Sequence, residues 1–260
     1  MIGRVHAAAA AGFARAGADD ERGRPGYPPA AIAQLAHAVG IGPGARVLDL
    51  AAGTGKLTRA LLTLGAELIA VEPVAGMREQ LQRTTPAVRI LDGTAERIPL
   101  PDGELDAVVV AQAFHWFDAG AASAEIHRVL RAEGGLGVIW NAWDEDVAWV
   151  ARIQALVHEH VSGAPQHATS RWPQELEATG LFTPLSQETF AHVVTGDLDT
   201  LLARVASVSY ISALPEAERA RVLGVVAEVI AQDPETAGRD QIAMPYTTHV
   251  ASCHRRTAAA

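Results

Sequence analysis

The chain has 260 residues, 49% of them hydrophobic and 20% charged, enough to bury a full core as one large domain or one domain with a cap. A formal net charge of −9 argues against a nucleic-acid backbone as the main partner, and no apolar run approaches the length of a membrane helix. Cys253 is the single cysteine, which excludes an internal disulfide and a cysteine-rich metal site, and a reducing cytoplasm is the expected compartment.

Residues 1–28 read as an N-terminal arm. Its small-residue stretch from Ala7 to Ala11 is too weakly apolar for a signal peptide, and Gly12 and Arg15 interrupt it. The arm ends in Arg24-Pro25-Gly26-Tyr27-Pro28-Pro29, a rigid turn whose prolines suit a helix start, with helical composition from Ala30 to Val39. Val47 to Leu50 is a short apolar run between Gly42-Pro43-Gly44 and Gly53-Thr54-Gly55, and reads as a buried strand carrying Asp49. A helix is expected from Lys56, with Leu57, Leu61 and Leu64 on one face and Gly65 as its stop.

Glu67 to Val71 reads as a second buried strand ending on Glu72-Pro73, and Val74 to Arg83 as a helix with Met77 and Leu81 on one face. A third strand is expected over Val88 to Asp92, then a loop from Gly93 to Pro99. Pro101-Asp102-Gly103 turns into a fourth strand, Leu105 to Ala111. Asp118 suits an N-cap for a helix running to Arg131, and Gly134-Gly135 turns into a fifth strand, Leu136 to Asn141.

This alternation predicts an α/β fold with a mostly parallel sheet and helices on both faces. Beyond Asn141, helices are expected over Trp143 to Val161, Trp172 to Thr179, Leu198 to Ser212 and Glu216 to Gln232, and a strand over Thr189 to Thr195. Tyr246 to Ala251 is expected to close the sheet as an antiparallel edge strand.

Two glycines where a strand turns into a helix admit a ligand close to the backbone and leave helix N–H groups unpaired. A turn that merely packs tightly would look the same in isolation. Three ligand types compete for it. A phosphate loop fails because Leu50 and Leu57 stand where glycine and Ser/Thr are required. A dinucleotide fingerprint meets Thr58 in place of its third glycine. S-adenosylmethionine fits better: loop amides suit its carboxylate, Asp49 its positive groups and Met77 the adenine face, while Glu72 suits a ribose diol in either the dinucleotide or the S-adenosylmethionine case.

Asp49-Leu50-Ala51-Ala52-Gly53-Thr54-Gly55, Val71-Glu72-Pro73 with Met77, Gly93 to Leu100 and Glu125-Ile126-His127-Arg128-Val129-Leu130 together resemble the class I S-adenosylmethionine-dependent methyltransferases (methyltransferase type 11 domain). Arg24 to Pro28 and Ala111 to Phe117 look like the branch that includes trans-aconitate-methyltransferase-like proteins. That branch commonly has tyrosine where this chain has Asp20, before Glu21-Arg22-Gly23-Arg24-Pro25.

The resemblance implies a Rossmann-like seven-stranded sheet. It divides the chain into an arm or lid (1–28), a cofactor-binding core (29–142), and cap helices and closing strands of the same domain (143–260). It implies that Asp49, Ala51, Gly53 and Gly55 line the methionine half of S-adenosyl-L-methionine, whose product is S-adenosyl-L-homocysteine. Glu72 would bind the ribose, Met77 would pack on adenine, and Thr94, Ala95 and Glu96 would edge it. Ala111 would face the ammonium, and Arg24 and Tyr27 would close over the carboxylate.

His115, just after the fourth strand, is the candidate catalytic base, against the plainer reading of a histidine packed on Trp116. The tryptophans all follow residue 113 and suit either a substrate wall or ordinary cap packing. His158 and His160 are two apart, a poor metal pair on a helix, and Asp144-Glu145-Asp146 reads as a solvated helix start. The expected activity is methyl transfer to a small-molecule acceptor, with no metal, membrane or nucleic-acid partner. The rivals are a non-catalytic S-adenosylmethionine-binding protein and a Rossmann NAD(P) oxidoreductase.

Overall fold

The computed structural model of the chain describes residues 21–161 and 171–257. The first twenty residues of the arm, with Ala7 to Ala11 and Asp20, lie outside the described residues.

Helix α1 (Pro29–Val39) precedes strand β1 (Arg46–Leu50), α2 (Lys56–Leu62), β2 (Glu67–Val71), α3 (Ala75–Thr84), β3 (Arg89–Leu91) and β4 (Leu105–Ala111). Then come α4 (Ala119–Val129), β5 (Leu130–Trp143), α5 (Ala148–His158), α6 (Trp172–Ala178) and β6 (Ser186–Gly196). The short helices α7 (Leu198–Ala206) and α8 (Ser209–Ser212), the longer α9 (Glu216–Gln232) and strand β7 (Ile242–His254) complete the order.

The strands form one seven-stranded sheet in the order β3-β2-β1-β4-β5-β7-β6. The first five run parallel, and β7 lies antiparallel to both β5 and β6. The central strands read as mainly apolar runs because both faces are covered, with Asp49 of β1 a buried exception. On one face α1 and α2 bury Ile32, Leu35, Leu57 and Leu61; on the other α4 and α6 bury Ile126 and Trp172. A third cluster joins α5, α7 and α9 to the end of the sheet through Trp143, Met244 and Tyr246.

Four expectations are corrected. Trp143 ends β5 and does not start a helix: it pairs with Tyr246 of β7, and a turn at Asp144 to Val147 precedes α5. The α4 helix stops at Val129, because Leu130 already pairs with Leu105 before a register shift. Leu198 to Ser212 is two helices, since Ser207 and Val208 break the run. Tyr246 to Ala251 lies inside the sheet. Both sides of β7 are paired, and the edge is β6, where Val193 stands 61% exposed.

The chain first adds strands to one side of β1 and then returns to place β4 on the other. This leaves a crevice beyond the carboxyl ends of β1 and β4, the place where open α/β sheets bind ligands.

Candidate cofactor site

Both strands at the crevice end on a residue held at positive φ without being glycine: Ala51 after β1 and Gln112 after β4, each at 58°. Such left-handed residues cost of order 1–3 kcal/mol each and cluster at ligand sites. After Ala51 the backbone turns through Gly53 and Gly55 into α2, whose N-cap is Gly55, with no side-chain cap of its own.

The missing cap comes from β1. Asp49 Oδ2 accepts from Thr58 Oγ1 at 2.5 Å, and the Thr58 backbone N–H adds a second bond to the carboxylate. Burial pushes the Asp49 carboxyl up to about 6, against the downward pull of those bonds. Its other oxygen, Oδ1, is buried with no hydrogen-bond partner among the described residues.

Glu72, at the end of β2, is 4% exposed and reaches back toward the turn. Its Oε2 accepts from the Gly53 N–H at 2.9 Å and its Oε1 from the Val74 N–H at 2.8 Å. Burial pushes this acid up to about 7; the two amide bonds and Arg78 pull down, and the Asp49 charge pushes up.

Glu72 and the Gly53 turn border a cleft of about 150 Å³. Of the site residues expected from sequence, Arg24, Tyr27, Ala51, Gly53, Glu72, Met77, Thr94, Ala95, Glu96 and Ala111 all line it. Thr94 Oγ1 is buried there with no hydrogen-bond partner among the described residues.

Three expected residues fall outside the lining. Asp49 is fully buried against the start of α2. Gly55 is demanded by packing: a Cβ there would stand 2.3 Å from Leu81 Cδ1, whereas one on Gly53 meets only Met77 Sδ at 4.0 Å. His115 sits in a single 3₁₀ turn, Phe114–Trp116, with its ring 5.1 Å from that of Trp116. Trp116 and Phe117 do line the cleft, as do Lys56 and Gln112, which the sequence did not single out. The position of Lys56, directly after the glycine turn, was the available signal.

The other tryptophans pack in the interior. Trp140 and Trp172 belong to the core under α4, and Trp143 and Trp149 to the cap cluster. His160 approaches Glu218 at 3.6 Å, and the described residues hold no group of three metal-binding side chains.

The described end of the arm is docked across this opening. Glu21 accepts from Arg59 at 2.7 Å, and the Glu21 carbonyl accepts from Lys56 Nζ at 2.7 Å. Arg24 Nη2 donates to the Ser207 carbonyl at 3.1 Å, tying the arm to the cap. Asn141 Nδ2 donates to the Gly26 carbonyl at 2.9 Å, while Asn141 Oδ1 accepts from Thr248 Oγ1 at 2.6 Å. Held by these contacts, the described end of the arm brings Arg24 and Tyr27 to the cleft lining.

A strand order of this kind, with the crevice walled by a glycine turn, a strand-end acid and an apolar thioether, defines a class I S-adenosylmethionine-dependent methyltransferase fold. Residues 48–138 match the family model described as a methyltransferase domain. The chain is 39% identical over 235 residues to the "uncharacterized methyltransferase Rv3342" of Mycobacterium tuberculosis, covering 88% of this chain and 89% of that one. It is 32% identical over 242 residues to the "uncharacterized methyltransferase-like C25B8.10" of Schizosaccharomyces pombe, covering 93% and 94%. Among solved structures, a putative type II methyltransferase from Anaeromyxobacter dehalogenans shares the fold at a TM-score of 0.66 and 23% identity, over 90% of this chain and 97% of that one. The chain belongs to the S-adenosylmethionine-dependent methyltransferases of this methyltransferase-domain family.

Proposed function

We propose that the cleft binds S-adenosylmethionine and that the methyl group passes to a small-molecule acceptor. The observation that carries the cofactor assignment is Glu72 at the cleft wall taken with the buried Thr58–Asp49 pair, whose Thr58 stands where a dinucleotide turn has its third glycine. The Glu72 carboxylate is fixed by the Gly53 and Val74 amides at the wall of the cleft, and each oxygen keeps a lone pair for a ribose hydroxyl. Around it, Met77 and Val74 offer an apolar face for adenine, and the Thr94 hydroxyl is a buried group in want of a polar partner. Arg24 and Lys56 put positive charge at the end where the carboxylate would lie. Gly53 leaves room for the cofactor where a side chain would fill it.

When bound, the cofactor supplies an activated methyl group on a sulfonium. The chain's task is to align the acceptor, exclude water and, where the acceptor needs it, take up a proton. Trp116 and Phe117 give the cleft an apolar wall against which an acceptor can lie. Asp49 is assigned to holding α2 and the glycine turn, with Oδ1 directed to the cofactor's positive end through water. His115 remains the proposed base, reaching an acceptor that extends past Trp116. The enzyme is proposed to work in the cytoplasm; among the described residues no helix is long and apolar enough to cross a membrane.

Calorimetry with S-adenosylhomocysteine tests the cofactor, and single-turnover transfer of labelled methyl to a metabolite pool tests the activity. Binding without transfer to any component would identify a non-catalytic binder. Binding of NAD(P) in place of S-adenosylhomocysteine would identify an oxidoreductase.

A further inference from the structure

Resting on the placement of adenine proposed above, we infer that Glu125 and Arg128 are positioning residues for the loop of residues 93–100, which forms that end of the cleft. Neither side chain lines the cleft itself. The loop has little backbone support of its own. The preceding strand β3 is only Arg89–Leu91, and within the loop there is one bridge between Thr94 and Arg97 and one bond from the Leu100 N–H to the Ile98 carbonyl.

The α4 helix supplies what the loop lacks. Arg128 uses all five of its N–H donors. Nε and Nη2 donate to the two oxygens of Glu125 at 2.7 and 2.8 Å. Nη2 also donates to the Ile98 carbonyl at 2.9 Å, and Nη1 donates to the Leu100 carbonyl at 2.8 Å and to Asp102 Oδ1 at 2.7 Å. Glu125 Oε2 in turn accepts from the Ile98 N–H at 2.9 Å. At the other end of α4, the Asp118 N–H donates to Glu96 Oε1 at 3.1 Å.

Backbone groups at 98 and 100 and the side chain at 96 are thus fixed to one helix. The Arg128 bond holds the Glu125 carboxyl below its usual range, so the pair stays charged at neutral pH. Asp102 is 81% exposed, and its share of the network is screened. A loop ordered before the ligand arrives spares the ligand the entropy of ordering it.

The test uses Arg128→Lys and Glu125→Gln, with Asp102→Asn as the control. Lysine has three donors on a flexible stem and cannot reproduce the planar fork. Amide hydrogen exchange is read without ligand, and affinity for S-adenosylhomocysteine by calorimetry. In both variants, exchange over residues 94–100 is expected to quicken about tenfold while β1 and β4 keep their protection. Affinity is expected to fall about tenfold, S-adenosylhomocysteine should restore the loop's protection, and Asp102→Asn should match the wild type.

Unchanged loop exchange overturns the inference. So does affinity within about twofold of wild type despite faster exchange. Loss of protection across β1 and β4 also overturns it, because the pair would then be serving the fold at large. If the wild type itself fails to bind S-adenosylhomocysteine, the cofactor reading falls separately, and the ligand-free exchange still decides whether the clamp exists.

Discussion

Thr58 Oγ1 and Asp49 Oδ2 are joined by a 2.5 Å hydrogen bond in which neither residue has any exposure to solvent. The residue that breaks the dinucleotide fingerprint is therefore the one that holds the acid of β1. A glycine at 58 would give Asp49 no hydroxyl to bond.

Thr58→Val keeps the shape and removes the hydroxyl. Asp49 then keeps only the backbone bond, and its carboxyl should move further above about 6. The loss of a bond to a charged group costs about 1.5–3 kcal/mol where Asp49 is ionised and less where it is neutral. Thermal melts should therefore show a larger penalty at about pH 8 than at about pH 5. Equal penalties at both would mean that the hydroxyl does not serve the carboxylate.

Asp49 and Glu72 also set the pH response of the ligand-free protein. Both have folded values above their ordinary ones, rising from 3.8 to about 6 and from 4.5 to about 7. At these two acids the native state binds more protons than the unfolded state across that window, so their contribution to stability falls as pH rises through it. His192 and His249, which burial holds below their ordinary value, act the other way in the same window, so the check is the difference between wild type and Glu72→Gln: the variant should lose part of the decline with pH. Wild-type and Glu72→Gln melting temperatures that run parallel over the interval would contradict the raised value of Glu72.

Ligand binding should reverse that preference at Glu72. Ribose hydroxyls donate to the ionised carboxylate, so affinity for S-adenosylhomocysteine should increase from about pH 6 to about pH 8. Glu72→Ala should cost two charge-assisted bonds, about 1.5–3 kcal/mol each before water compensates. Calorimetry giving a pH-independent affinity, or a folded alanine variant of wild-type affinity, would remove Glu72 from the ribose.

The two glycines of the turn should separate binding from folding. Gly53 faces open space, so Gly53→Val is expected to abolish binding at a fold cost of about 1–2 kcal/mol from its left-handed backbone. Gly55→Ala meets Leu81 at 2.3 Å and should lower the melting temperature more. A Gly53→Val protein that still binds S-adenosylhomocysteine would place the site elsewhere.

His115→Gln addresses the transfer step. As a base, His115 would contribute about 10²–10⁴-fold to turnover with little effect on cofactor affinity, and the acid limb of the pH profile would vanish in the variant. Wild-type turnover would assign His115 to packing against Trp116.

The sheet and the cleft's main wall were legible because their signals are local. Buried parallel strands leave apolar runs, and Gly53, Glu72 and Met77 each follow a strand end. The bond from Thr58 to Asp49 was not legible, since it spans a turn whose geometry decides where the carboxylate points. Gly53 and Gly55 look equivalent in sequence and differ only in what surrounds them, open cleft or Leu81. The interior position of β7 depends on β6 reaching it from the preceding segment, a long-range pairing that no local pattern in Tyr246 to Ala251 records.

The Gly26–Asn141–Thr248 chain of hydrogen bonds joins the arm to the last strand of the sheet. During synthesis the glycine turn and the strand-end acid emerge early, but the anchor for the arm's Gly26 is completed only when Thr248 leaves the ribosome. Until β7 inserts, β5 and β6 each present an unpaired edge able to capture another chain. A nascent chain that stalls before that point would carry most of the cleft-lining residues and still expose those edges.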